Sequence, residues 1–152
     1  MSPVRFRALA AAACLGLLGS AAFAAAPETL PAALVQARSS DPRARALAAR
    51  TLGGLRDARA ESALVVLLGD KDERVRQPAA DALAFQGDRA AAPALLKALK
   101  DPSAPVRFAA ARALGVLRAP RTAGAVADLL KDPDPAMRRT AAEVLGRLGD
   151  AS

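Results

Sequence analysis

Charged residues recur along the chain at a fixed interval of 31 residues. The aspartate series is Asp70, Asp101 and Asp132, and the arginine series is Arg76, Arg107 and Arg138. Carboxylates and guanidinium groups form charge-assisted hydrogen bonds, and the planar arginine fork can hold both oxygens of one carboxylate. Two interpretations are open. The charges form either a stripe that binds a ligand or a ladder that joins consecutive repeats.

Side chains suited to catalysis or metal binding are scarce. The 152 residues include no His, Trp or Tyr and a single Cys, Cys14. Histidine is the commonest general base and metal ligand, and one Cys can form neither an internal disulfide nor a zinc cluster. No Gly-rich phosphate loop, HExxH or GxSxG motif is present. We therefore expect a protein that is not an enzyme and that holds no metal or cofactor.

The charged series belongs to a longer repeat that aligns without gaps. DPSAPVRFAAARALGVL at residues 101–117 returns 31 residues later as DPDPAMRRTAAEVLGRL. Two adjacent columns are Ala in all four copies, and one column is Leu throughout: Leu52, Leu83, Leu114 and Leu145. Such a period indicates stacked units that bury their apolar faces against each other. The copies span about 28–57, 58–88, 89–119 and 120–150.

Two helices are expected in each copy, which makes the protein all-α. Strong helix formers dominate and β-branched residues are few. The second helix of each copy starts at a residue with good N-cap chemistry: Asp41, Asp72, Ser103 and Asp134. A glycine column near the ends of these helices, with Gly87 and Gly149 after it, fits helix termination: Gly53, Gly115 and Gly146. The Ala and Leu columns recur at helical spacing and mark the core face.

On these residues the chain resembles the short HEAT-like repeats found in phycobilin lyases. The shared pattern is an Asp followed by Val-Arg, Ala-Ala and Leu-Gly, as in Asp101, Val106-Arg107, Ala110-Ala111 and Leu114-Gly115. The first copy departs from it, with Ser39 in place of Asp and Ala44 in place of Val. The resemblance implies a right-handed α-α superhelix, an armadillo-like α solenoid of four two-helix repeats with period 31.

The resemblance also implies roles for the recurring residues. In this family the repeated Asp and Arg side chains hydrogen-bond between loops of adjacent repeats, which favours the ladder interpretation. The second helices line the concave side, so their variable positions are the protein-binding candidates: Gln77, Asp81, Phe85, Phe108, Arg112, Val116, Arg139 and Glu143. The two aromatics suit contact anchors, unless helix rotation buries them between repeats. One column alternates in charge and can pair across neighbouring repeats: Arg50, Asp81, Arg112 and Glu143.

The first 24 residues have the parts of a secretory signal peptide. Arg5 and Arg7 precede an apolar run at residues 8–18, and Ala22-Phe23-Ala24 provides a cleavage site. A membrane-spanning helix needs about 20 apolar residues, so we expect cleavage after Ala24, which leaves a repeat domain at 25–152. Lipidation at Cys14 and an uncleaved anchor are the alternatives. The alanine- and arginine-rich composition suggests a bacterial protein that is periplasmic or secreted.

These features predict a non-enzymatic scaffold of the bacterial cell envelope that binds another protein along its concave face. Self-association through the terminal repeat is a further expectation, as is the absence of stable membrane insertion after cleavage. Two alternatives remain. A pI of about 10.9 and a net charge of +7 suggest a nucleic-acid-binding repeat protein, although basic residues are interleaved with acids. The resemblance itself suggests a lyase-like accessory factor.

Overall fold

A computed structural model describes residues 29–149 and shows eight α-helices in that range. They are α1 (Leu30–Gln36), α2 (Pro42–Gly54), α3 (Ala58–Leu67), α4 (Glu73–Gln86), α5 (Ala92–Ala98), α6 (Ala104–Leu117), α7 (Ala123–Asp128) and α8 (Pro135–Gly149). Short 3-10 turns occur at Arg89–Ala91, Pro120–Thr122 and Leu129–Lys131. The described range contains no strand, and the predicted all-α repeat fold is confirmed. The leader predicted at residues 1–24 lies outside the described residues.

The second helices begin where the N-cap residues predict. The carboxylates of Asp41, Asp72 and Asp134 each accept a hydrogen bond from the backbone N–H two residues later, at 2.8–2.9 Å. Such bonds satisfy N–H groups that have no partner within the helix. Ser103 differs because its hydroxyl is buried and has no hydrogen-bond partner, so α6 begins without a side-chain cap. At the other end of α4, Gly87 adopts a left-handed conformation that terminates the helix.

The core is built from the periodic apolar columns. One fully buried residue of each first helix occupies the same column: Ala33, Leu64, Leu95 and Val126. The first alanine column of the second helices is buried in the same way: Ala48, Ala79, Ala110 and Ala141. Because each column continues from repeat to repeat, the apolar faces form one core along the stack.

The glycine column has a packing role that the sequence prediction missed. Gly115 and Gly146 lie inside α6 and α8, and Gly53 lies in the last turn of α2, so this column does not itself end the helices, whereas Gly87 and Gly149 lie at the ends of α4 and α8 as expected. A Cβ atom added to Gly53 would lie 2.8 Å from the Cβ of Ala82 on α4. The small side chains therefore let consecutive second helices approach closely.

This close approach sets the direction in which the stack curves. The second helices pack directly against one another from α2 to α8, whereas the first helices make few contacts among themselves. A stack whose inner layer is the more closely spaced bends toward that layer. The second helices therefore form the concave side and the first helices the convex side. None of the helices in residues 29–149 has the length and apolarity of a membrane-spanning segment.

Candidate protein-binding surface

A ladder of ion pairs joins consecutive repeats behind the concave surface. Arg45 donates from Nε and Nη2 to the two carboxylate oxygens of Asp70, at 2.6 and 2.8 Å. Arg76 holds Asp101 in the same bidentate way, at 2.7 and 2.8 Å. Each arginine also donates from Nη1 to two carbonyl oxygens of the loop before its own helix. One guanidinium group thus connects the loops of two neighbouring repeats.

The ladder keeps its carboxylates ionised despite their burial. The side chains of both ion pairs are only about a tenth exposed. The hydrogen bond from Arg45 lowers the pKa of Asp70 below its ordinary value. Burial alone would raise the pKa of Asp101, but the hydrogen bonds from Arg76 and from the amide of Ser103 outweigh it, and this pKa is also lowered. These ion pairs stabilise the stacking of the repeats.

The predicted ladder does not continue into the fourth repeat. Arg107 donates to the carbonyls of Asp101 and Pro102 but makes no hydrogen bond to Asp132, and Arg138 likewise bonds only to the loop carbonyls of Asp132 and Pro133. The bulk at the helix contact differs at this step. Gly115 faces the branched side chain of Val144, at 3.1 Å from an added Cβ, where Gly53 faces an alanine. The α6–α8 step, where the pair is open, therefore has a larger side chain at the helix contact than the α2–α4 step, where the pair is closed.

Arg45 is a ladder residue that the sequence prediction left out. Its own repeat has Ser39 where the others have Asp, which made the first copy look incomplete. In both closed pairs the arginine binds the aspartate of the following repeat, 25 residues later, rather than that of its own repeat. The recurring 25-residue spacing was the available signal.

Two grooves lie side by side on the concave surface. The first, between α2 and α4, has a volume of about 550 Å³ and is lined by Arg50, Gly53, Gly54, Arg74, Gln77, Pro78, Asp81, Ala82 and Phe85. The second, of about 420 Å³, is lined by Asp81, Ala84, Phe85, Arg112, Ala113, Val116 and Arg147. Phe85 and Asp81 line both grooves and form the ridge between them. The Phe85 side chain is 73% exposed, unusually open for an aromatic ring.

The structure divides the predicted binding residues into two groups. Five of them line the grooves: Gln77, Asp81, Phe85, Arg112 and Val116. Phe108 does not, because it is half-buried and packs against the core from α6. Arg139 and Glu143 are exposed on α8 but line neither of these grooves. Three arginines outside the predicted set also line them: Arg50, Arg74 and Arg147.

The expected pairing of alternating charges occurs at one step. Arg112 donates to Asp81 at 2.8 Å across the ridge. Both side chains are well exposed, and such a pair contributes only about 0–1 kcal/mol to stability.

The other groove arginines differ in whether they have a partner. Arg74 donates a hydrogen bond to Asp72, which lowers the pKa of that carboxyl to about 2. Within residues 29–149 the guanidinium groups of Arg50 and Arg147 have no hydrogen-bond or ion-pair partner.

The repeat pattern agrees with a known family. HEAT repeats match residues 27–110 and 92–152, which together include most of the chain. The chain belongs to the HEAT repeat family. No described group of three or more acidic, Cys or His side chains is placed to hold a metal ion. The comparison with curated proteins finds no significant match to this HEAT repeat protein.

The fold also resembles those of solved structures, among them the following two. One is the complex of CpcE and CpcF of phycocyanin lyase from Nostoc sp. PCC7120, with a TM-score of 0.60 and 22% identity over 90% of this chain and 71% of that one. The other is an engineered protein solved by the Northeast Structural Genomics Consortium, with a TM-score of 0.64 and 23% identity over 80% of this chain and 62% of that one. At these identities the likeness concerns the fold alone.

The comparison with phycocyanin lyase corrects one prediction. The same HEAT repeat fold occurs in a lyase complex, which contradicts the expectation that this fold is not that of an enzyme. The expectation came from the scarcity of histidine and of local catalytic motifs. That argument excludes the sites for which such motifs are typical, but it does not exclude activity on a surface assembled from several repeats.

Proposed function

We propose that this HEAT repeat protein binds a partner protein along the concave surface formed by its second helices. The observation that carries the proposal is the exposure of Phe85 on the ridge between two adjoining grooves. Aromatic side chains that fill a partner's pocket supply much of the energy of protein interfaces. The HEAT repeat family and a structural neighbour that is a complex of two proteins support an interaction role.

The distribution of charges also favours the concave surface. The closed ladder residues are nearly buried and bind each other. The groove side chains of Arg50, Phe85 and Arg112, by contrast, are exposed, and the columns to which they belong differ from repeat to repeat. A stack needs the same contacts at every step, whereas recognition of one partner needs a surface that varies along the stack. The grooves therefore offer the specificity that the ladder lacks.

A matched pair of variants tests this proposal. Phe85→Ala removes the ridge on the concave side, and Val66→Ala removes an equally open side chain, 74% exposed, from the convex side. Proteins retained by the tagged protein are identified by quantitative mass spectrometry. We expect a partner whose recovery falls at least tenfold with Phe85→Ala and is unchanged with Val66→Ala. Equal recovery with both variants would contradict the proposal.

We further propose that the protein acts in the bacterial cell envelope after export, in the periplasm or as a secreted protein. The support is the leader-like sequence of residues 1–24. The intact mass of the protein purified from envelope fractions gives the test. A mass that begins at Ala25 is expected, whereas an unprocessed chain that remains with cytoplasmic markers would rule out this location.

The fold shared with phycocyanin lyase favours a second candidate, a lyase-related role. Bilin binding is its simplest test. A purified protein that changes the absorption spectrum of an added bilin and co-elutes with it in gel filtration would support this role. An unchanged spectrum and separate elution would count against it.

A further inference from the structure

We propose that the groove between α2 and α4 binds an acidic peptide segment whose carboxylate pairs with Arg50 while a neighbouring apolar side chain packs on Phe85. This inference depends on the proposed function and specifies the chemistry of the partner. It combines three features of the groove: an apolar floor, an arginine side chain without a hydrogen-bond or ion-pair partner among the described residues, and a continuation into the second groove.

The floor of the groove is apolar and open. Gly53 and Gly54 carry no side chains, and space remains open beside Gly54, where an added Cβ would meet no atom within 4 Å. Pro78 and Ala82 of α4 form the opposite side, and Phe85 rises at the end. A partner's aliphatic or aromatic side chain can enter this space without displacing a protein side chain, and the ring of Phe85 provides the contact surface.

The charge of the grooves is complementary to an acidic partner. Their lining includes four arginines but a single carboxylate, that of Asp81. Arg112 already binds this carboxylate. Arg50 at one end and Arg147 at the other have no partner among the described residues. A guanidinium group without a partner readily accepts a carboxylate in bidentate geometry.

The spacing of helices sets the length of the segment. Packed helices lie about 8–10 Å apart, so the three steps from α2 to α8 cover roughly 24–30 Å. An extended peptide advances about 3.3–3.6 Å per residue. A segment that reaches from Arg50 to Arg147 therefore has about seven residues between its acidic ends. The Phe85 ridge lies one step from Arg50, which places the apolar side chain about three residues after the first acid.

The same surface is poorly suited to nucleic acid. Single-stranded nucleic acid binds to successive aromatic side chains that stack on its bases, and Phe85 is the only aromatic residue lining these two grooves. Asp81 also places a carboxylate at the centre of the path that phosphates would follow. We therefore favour an acidic, partly apolar peptide over an oligonucleotide.

Fluorescence anisotropy with designed probes tests the inference. The probe is a labelled peptide with Asp at positions 1 and 9, Leu at position 4 and Ser elsewhere. Its controls replace both Asp by Lys, or the Leu by Ser, and an oligothymidylate of similar length tests for nucleic acid. At physiological salt we expect the acidic, leucine-containing peptide to bind at least tenfold more tightly than any control.

Two charge reversals locate the site. Arg50→Glu is expected to weaken binding of the acidic peptide at least tenfold. Arg59→Glu reverses an exposed arginine on α3, outside the grooves, and is expected to leave binding unchanged. Helical circular dichroism confirms that both variants are folded. Equal binding of acidic and basic peptides, insensitivity to Arg50→Glu, or tighter binding of the oligonucleotide would each overturn the inference.

The outcomes separate this inference from the proposed function. If Phe85→Ala releases the natural partner but the acidic peptide binds no more tightly than its controls, the inferred acidic chemistry of the partner is wrong. The proposal that the concave surface binds a protein then still holds. If Phe85→Ala does not release the partner, the proposed function itself fails, whatever the peptides do.

Discussion

Two equivalent aspartates allow the stabilisation from a closed ladder pair to be measured, because Asp101 is bound by Arg76 whereas Asp132 is not bound by Arg107. Asp101→Ala removes a carboxylate that accepts two hydrogen bonds from Arg76, at 2.7 and 2.8 Å, and one from the amide of Ser103. Asp132→Ala removes the equivalent residue one repeat later. That carboxylate accepts the matching turn bond from the amide of Asp134 at 2.9 Å but no bond from an arginine.

The expected difference follows from these contacts. Breaking a fully buried ion pair costs about 3–5 kcal/mol because the remaining charge has no partner. Arg76 is 12% exposed and keeps its two carbonyl acceptors, so we place Asp101→Ala near the lower limit, at about 3 kcal/mol. Asp132→Ala loses one turn hydrogen bond, worth about 1 kcal/mol. The difference in unfolding free energy is therefore about 2 kcal/mol.

Urea denaturation followed by helical circular dichroism measures this difference. Both variants must retain the wild-type spectrum in buffer, which confirms that the repeats still fold. We expect the unfolding midpoint of Asp101→Ala to lie clearly below that of Asp132→Ala. If the two substitutions cost the same within about 0.5 kcal/mol, a level typical of surface changes, the ladder does not stabilise the stack.

Three further predictions concern packing, capping and pH. Gly53→Ala should lower the unfolding free energy by about 1–3 kcal/mol because its Cβ would clash with α4. Gly54→Ala has open space around it and should change the unfolding free energy by less than about 0.5 kcal/mol. The midpoints of denaturant-induced unfolding of the two variants test this difference. Ser103→Ala should leave the unfolding free energy nearly unchanged because the Ser103 hydroxyl makes no capping hydrogen bond. Asp134→Ala removes such a bond and should lower the unfolding free energy by about 1 kcal/mol. Equal losses of unfolding free energy in the two variants would contradict this. The pKa of Asp72 is lowered from 3.8 to about 2, so the stabilisation from its ionised carboxyl is complete above pH 3.8 and is lost as the pH falls toward 2. The pKa values of Asp70 and Asp101 are also lowered, so their stabilisation likewise decreases as the pH falls below 3.8. Melting temperatures that stay constant as the pH falls from 3.8 toward 2 would contradict this.

The repeating part of the structure could be predicted from the sequence because it depends on residues that recur. The 31-residue period gives the buried columns directly, since every repeat meets the same neighbours. The pairing of Arg76 with Asp101 follows the same logic. Such features need no knowledge of the distance between particular helices.

Features that depend on one helix contact could not be predicted in this way. The third ladder pair is open at the step where Gly115 meets Val144, and the charged columns do not reveal which side chains meet at that step. Phe85 and Phe108 both fell on the predicted solvent face, yet only Phe85 is exposed, because α6 packs its aromatic residue against the core. Small rotations of single helices decide such cases, and a periodic pattern does not specify them.

Site-specific photo-crosslinking in the intact cell tests most directly the claim that the concave surface binds a protein partner. A benzophenone amino acid is placed at position 85 on the concave ridge or at position 66 on the convex side, two positions with nearly the same exposure, 73% and 74%. We predict a discrete crosslinked product from position 85 and none from position 66. Products from position 66 alone, or the same products from both positions, would contradict the claim.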